Sequence, residues 1–127
     1  MGMRPEKCAI VRLMRTEHDT LGEKEVPEKA LYGIHTQRAL DNFGVDGPRV
    51  RPELIRAIVC VKKACALTHK ELGALAPEVA DALVAACDEV LSGAHGEAFA
   101  TAALQGGAGT SANMNVNEVL ANLAIVK

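Results

Sequence analysis

The sequence predicts a mainly α-helical domain with a small β-hairpin near its start, and three observations carry that prediction. Hydrophobic residues make up 49% of the chain, with only one Tyr and two Phe, a composition suited to closely packed helices rather than an aromatic-rich sandwich or barrel. Two long stretches place apolar residues at helical spacing between a proline able to open a helix and a glycine able to close it. A short alternating stretch precedes them. At 127 residues the chain fits one domain.

In chain order, the first dozen residues show no period and read as a loose lead-in. RTEHDTLGEKEVP, from Arg15, alternates around Leu21-Gly22-Glu23 as two strands joined by a tight turn do, and Pro27 ends the second. KALYGIHTQRALDNF offers Ala30, Leu31, Ile34, Ala39, Leu40 and Phe43 to the core, while Gly33 limits it to short helical turns. Residues 52–73 form the first long helix: Pro52 loses no N–H that a first helical residue needs, and Gly73 suits a left-handed terminator. Its predicted buried stripe is Leu54, Ile55, Ile58, Val61, Cys65 and Leu72, with Arg56, Lys63 and Lys70 forming a solvated basic row on the other side. Residues 77–93 repeat the pattern through Val79, Leu83, Cys87, Val90 and Leu91, and the linker 73–76 makes the pair a helical hairpin. Residues 96–104 read as a short third helix.

Several function classes are excluded by the bulk numbers. A net charge of −2 and a pI near 6.1 leave no basic footprint for a phosphate backbone, and stacking aromatics are scarce, so nucleic acid is not an expected partner. No apolar run reaches the ~20 residues of a spanning helix, and MRPEKCAIVRLMR is too charged for a secretory signal. The chain reads as soluble and cytoplasmic, with no membrane partner. Cys8, Cys60, Cys65 and Cys87 form no CxxC pair and read as reduced thiols, the last three packed on apolar helix faces. His18, His69 and His95 lack metal-ligand spacing, so no metal is expected.

QGGAGTSANMNVNEVLAN, residues 105–122, is the stretch with chemical content. Val116, Val119, Leu120 and Leu123 fall at i, i+3, i+4 and i+7 and require a helix. Its start has two readings: Asn115 with Glu118 as a capping box, or Thr110 or Ser111 capping an earlier beginning. Either leaves Gly106-Gly107-Ala108-Gly109 as a flexible approach to a helix N-terminus, where free N–H groups and the positive dipole end can hold an anion. The lysine of a Walker loop and the GxGxxG pattern are both missing. A carboxylate pocket and a purely structural cap therefore remain the two physical readings. Asn113, Asn115, Asn117 and Asn122 are poor helix formers that point to a buried polar network, a site, or simple hydration.

The order of these motifs from Arg15 to Asn122 resembles the N-terminal portion of the aspartase/fumarase superfamily, its aspartase branch above all. The early block YGIHTQR and the later QGGAGTSANMN are similar to aspartase patterns, whereas fumarases read like WGAQTQR and QTGSGTxxNMN. Aspartases commonly carry a Phe-Pro-Val-Asp-like turn where this chain has Phe99-Ala100-Thr101-Ala102. The resemblance implies reversible deamination of L-aspartate to fumarate and ammonia, without a cofactor, in a homotetramer built on a central helical bundle. It implies Thr110, Ser111 and Asn113 as the substrate-binding residues, with a serine base supplied from beyond Lys127, since no GSSxMPxK-like signature occurs here. The expected role is that of an N-terminal piece, inactive alone. The alternatives are a fumarate hydratase of the same superfamily and a non-catalytic helical interaction module that associates through exposed apolar surface.

Overall fold

A computed structural model describes residues 13–44 and 46–126; the expected lead-in and Cys8 lie outside the described residues. Two antiparallel strands, β1 (Met14–Asp19) and β2 (Gly22–Pro27), form the hairpin, and four helices follow: α1 (Ile34–Asn42), α2 (Pro52–Glu71), α3 (Pro77–Leu91) and α4 (Thr110–Ile125). The mainly helical class and the early hairpin are as the sequence predicts. Asp19 pairs with Gly22, so the turn is Thr20-Leu21, one residue earlier than the alternation suggested. The Asp19 carboxylate fixes it by accepting the Leu21 N–H at 2.8 Å.

Between β2 and α1 the chain has no regular structure, yet it is pinned. Arg15 donates to the carbonyls of Pro27, Glu28, Ala30 and Tyr32 at 2.8–3.0 Å, using the guanidinium fork to gather four backbone oxygens. From α4, Asn122 donates to the Leu31 carbonyl at 2.7 Å. Ala39 is buried as expected; Ala30, Leu31, Ile34, Leu40 and Phe43 are only half-buried, and Thr36 is fully buried.

The α2–α3 hairpin forms as predicted, with Pro52 and Pro77 opening the helices and Gly73 and Gly93 in left-handed conformations after them. The face that α2 buries is different. Ile55, Val59 and Ala66 enter the core with Ile58 packed against it, whereas Leu54, Val61, Cys65 and Leu72 of the expected stripe are exposed. The basic row is at the surface as expected and is also partnered: Lys63 pairs with Asp88, Lys70 with Asp81, and Arg56 donates to the Leu91 carbonyl. These positions lie beside the Ile55–Val59–Ala66 line, so their stems cover the α2–α3 seam while the charged heads reach its edge. Cys60 is exposed like Cys65; among the described cysteines only Cys87 is buried, and burial pushes its thiol above the usual cysteine range.

Helix α4 runs through the centre. Val116, Val119, Leu120 and Leu123, all predicted as its apolar line, are buried against Val59, Cys87, Val90 and Phe99. The segment before it is not a third helix. Only Gly96–Ala98 makes a 3₁₀ turn, after which the chain extends and bridges Ala102 to Arg49. Asn115 explains the difference: fully buried, its amide donates to the Ala98 carbonyl at 3.0 Å and accepts from the Ala100 N–H at 3.1 Å, occupying backbone groups a helix would use. The asparagines thus include two structural pegs, Asn115 and Asn122.

Replacing Asn115 by Leu leaves both backbone groups buried without partners, at a cost of ~1–3 kcal/mol each. Urea unfolding of N115L should show a loss of at least ~2 kcal/mol, and an unchanged midpoint would contradict the peg.

Candidate functional site: a cleft between two helix starts

The start of α1 is an anion site filled by the protein itself. Glu118 of α4 accepts N–H bonds from Gly33 and His35 at 2.7 Å and from Thr36 at 3.1 Å, and Glu17 of β1 accepts from Ile34 at 2.7 Å. Two carboxylates thereby satisfy the exposed donors of the helix and meet the positive end of its dipole. Gly33 leaves room for this clamp, because an added Cβ would lie 2.9 Å from Glu17 Oε2 and 3.1 Å from Glu118 Cδ and would push the two carboxylates from their present positions. The capping box of Asn115 with Glu118 does not form: both residues lie inside α4, and Glu118 caps a different helix.

The start of α4 is more open. Gly107, Ala108 and Gly109 all have positive φ, of 83°, 52° and 87°, and lead into Thr110 as the first helical residue with Gly109 as N-cap. Ala108 holds the left-handed conformation without glycine's freedom, at a cost of ~1–2 kcal/mol. No side chain caps from the N-cap position, so the reading of Thr110 or Ser111 as N-cap is replaced by a longer-range arrangement. Gln105 Oε1 accepts the Ala112 N–H at 3.0 Å while its Nε2 donates to the Ala102 carbonyl at 2.6 Å. The Thr110 N–H and hydroxyl both donate to the Gly107 carbonyl, the hydroxyl at 2.6 Å, and the Asn113 N–H donates to Gly109. Among the first four amides of α4, that of Ser111 makes no hydrogen bond within the described residues.

These two helix starts border an open cleft of about 600 Å³, lined by Asp19, Thr20, His35, Arg38, Phe43, Gly106, Gly107, Thr110 and Ser111 among others. Thr110 and Ser111 are therefore brought together, the first exposed and the second buried; Asn113 is half-buried and lies outside the cleft lining. Arg38 is engaged within the fold. Its guanidinium grips Asp19 with two bonds of 2.8 and 2.9 Å and donates to Gly22 O at 3.1 Å, while Asp41 pairs with Lys24. The Arg38 hydrogen bonds hold the Asp19 carboxyl below the ordinary carboxylate range, and Lys24 does the same for Asp41. His35 lines the cleft with Nδ1 buried and unpartnered. The cleft thus combines a free helix-terminal amide, hydroxyls of Thr20, Thr110 and Ser111, and an imidazole, with its arginine already neutralised. Sequence reading gave Glu118 a local capping role and assigned none to Gln105, Thr20 or Asp19. Glu118 and Asp19 find their partners in elements distant in sequence, which only the tertiary fold reveals, whereas Gln105 bonds locally to Ala102 and Ala112.

Among the described residues no cluster of metal-ligating side chains occurs, and no helix is long and apolar enough to cross a membrane. A cleft at two helix starts, bordered by hydroxyl, imidazole and backbone N–H groups on a helical scaffold, is the class of site these features define.

Known proteins give the lineage. The lyase family model matches residues 22–127. Aspartate ammonia-lyase of Escherichia coli K12 is 50% identical over 115 residues, covering 88% of this chain and 24% of that protein. Fumarate hydratase class II of Mycobacterium tuberculosis H37Rv is 49% identical over 110 residues, covering 87% and 23%. The solved native fumarate lyase:delta crystallin of Brucella melitensis superposes with a TM-score of 0.87 at 44% identity, covering 90% of this chain and 27% of that one. The chain belongs to the aspartase/fumarase superfamily of lyases and matches its N-terminal region. It spans about a quarter of the length of these relatives.

Removing the Glu118 carboxylate should loosen the α1 start. E118A is expected to lose ~2–4 kcal/mol, with E118Q losing less because an amide oxygen still accepts, and hydrogen exchange at Gly33, His35 and Thr36 should accelerate in both. Unaltered protection at those three amides would show that the clamp does not hold the helix.

Acid should unfold the cleft wall through Asp19. Its pKa is lowered in the fold, so its contribution is complete above the unfolded value of about 3.9 and is lost as pH falls through the folded value below it. In D19N, stability measured by denaturant titration should therefore fall less steeply than in the parent below about pH 4, and an equal slope would assign the acid sensitivity to other carboxylates.

Proposed function

We propose that the chain is the N-terminal part of an aspartate ammonia-lyase, which reversibly converts L-aspartate to fumarate and ammonia, and that it supplies the segment binding a substrate carboxylate. The observation that carries this reading is the open α4 start, where the Ser111 amide is unpartnered and the Thr110 and Ser111 side chains line the cleft opposite His35. In the elimination a base removes a proton from Cβ, the electron pair moves onto the adjacent β-carboxylate, and the Cα–N bond then breaks to release ammonia and form the double bond. Charge concentrates on that carboxylate as the proton leaves. Donors fixed in advance where charge develops stabilise it by a few kcal/mol each, roughly 10²–10³ in rate for one donor.

Ser111 contributes its amide and hydroxyl. Thr110 contributes its hydroxyl after rotating away from the Gly107 carbonyl, a neutral hydrogen bond of about 1 kcal/mol net. Asn113 makes no side-chain hydrogen bond among the described residues and is available to a ligand group or chain segment approaching from outside this cleft. The base and the other substrate contacts come from the remaining three-quarters of the protein and from neighbouring subunits of a homotetramer.

A fumarate hydratase is the second reading, favoured by the nearly equal identities of 50% and 49% to the two kinds of relative. YGIHTQR and the methyl of Ala108, where a hydratase pattern has a hydroxyl, favour the ammonia-lyase. The exposed Leu54, Val61, Leu72 and Ile125 keep a third, non-catalytic interaction role in play. Supplying fumarate with ammonium or with water alone to the intact enzyme separates the first two, and product formation in neither assay favours the third.

In the intact enzyme, T110V should lower kcat/KM for aspartate by ~10²-fold, and the 127-residue chain alone should form no fumarate. Wild-type turnover in T110V, or activity in the isolated chain, would remove the basis for this assignment of roles.

A further inference from the structure

A second pocket lies away from the cleft, where the start of α2 meets the end of α3. It encloses about 360 Å³ and is lined by the buried apolar residues Val50, Ile55, Val90 and Phe99, with Arg49 and Arg56 among its lining. Its walls are fixed. The backbone of Arg49 is paired with Ala102, and the neighbouring Val50 N–H donates to the Thr101 carbonyl at 3.1 Å. One Arg56 nitrogen donates to the Leu91 carbonyl at 2.6 Å, which anchors the guanidinium and leaves further N–H donors. The turn on the far side contains Gly93 at φ 101° and His95 at φ 62°, the latter ring held to Glu89 at 2.6 Å. Arg49 makes no ion pair or side-chain hydrogen bond among the described residues.

We propose that this pocket binds a small amphipathic carboxylate, with a short aliphatic tail against Val50, Ile55, Val90 and Phe99 and its head on the guanidiniums of Arg49 and Arg56. The volume is at the lower end of ligand pockets, ~300–1,000 Å³, which limits the tail to a short one. An apolar floor favours a tail over a plain inorganic anion, and two arginines favour a carboxylate over a neutral head, since charge-assisted bonds to guanidinium are roughly twice as strong as neutral ones. The site is independent of the α4 cleft: neither Thr110 nor Ser111 lines it.

The test is an NMR titration of the 127-residue chain with hexanoate, hexan-1-ol and sulfate in parallel. Hexanoate should shift the amides of Val50, Ile55, Val90 and Phe99 and bind at least ~10-fold more tightly than either control. The double variant R49Q/R56Q should lose ~10-fold or more in affinity. R49Q alone, at an exposed side chain without protein partners, should weaken binding ~3-fold or more and guards against a folding defect in the double variant. The proposal is overturned by no binding, by equal binding of hexan-1-ol or sulfate, by undiminished affinity in folded R49Q, or by shifts confined to residues 107–111.

Discussion

The structure depends on one carboxylate placed across the fold. Glu118, in the middle of α4, reaches to the first turn of α1 and accepts three of its backbone N–H groups, while Glu17 of the hairpin accepts a fourth. A nine-residue helix is too short to be stable by itself, since nucleation is unfavourable and few bonds follow it. The two carboxylates supply what it lacks: partners for its orphan donors and negative charge at the positive end of its dipole. They also tie together three elements that are distant in sequence. Gly33 is the complementary half of this device, because a Cβ there would crowd both carboxylates out of their present positions.

The candidate site follows from that clamp. The α1 residues His35 and Arg38 form one side of the cleft, and the α4 residues Thr110 and Ser111 form the other; Glu118 joins the helices that carry them. The two helix starts are treated in opposite ways. Carboxylates satisfy the α1 amides, whereas α4 is capped by neutral groups and leaves the Ser111 amide open. On the proposed reading, a substrate carboxylate at α4 displaces no protein charge. Arg38, engaged by Asp19, adds no unpaired charge to this balance.

The buried face of α2 shows how a correct helix assignment can still carry the wrong orientation. The predicted stripe of Leu54, Ile55, Ile58, Val61, Cys65 and Leu72 holds for Ile55 and Ile58, but Leu54–Val61–Cys65–Leu72 and Ile55–Val59–Ala66 are both apolar lines on the same cylinder, and helical periodicity fits either. The choice belongs to α3 and α4, which pack on the second line and leave the first exposed. The basic residues expected to face water stay at the surface and also pair with Asp81, Asp88 and a carbonyl across the seam, as the stems of Lys and Arg allow.

By itself the sequence determined what rests on local rules: the hairpin from alternation, the two long helices from their prolines and glycines, the apolar line of α4, and the open-backbone approach at 106–109. These depend on neighbours within a few residues, and the chemistry of each residue is sufficient. Tertiary structure alone decided where the long-range hydrogen bonds go. Glu118 fits a capping box in sequence and caps a helix more than eighty positions away; Asn115 looks like a helix start and is a buried peg that stops residues 96–104 from becoming one. The reason is that a polar group buried by packing takes whatever partner the fold brings within about 3 Å, and sequence separation does not enter that choice.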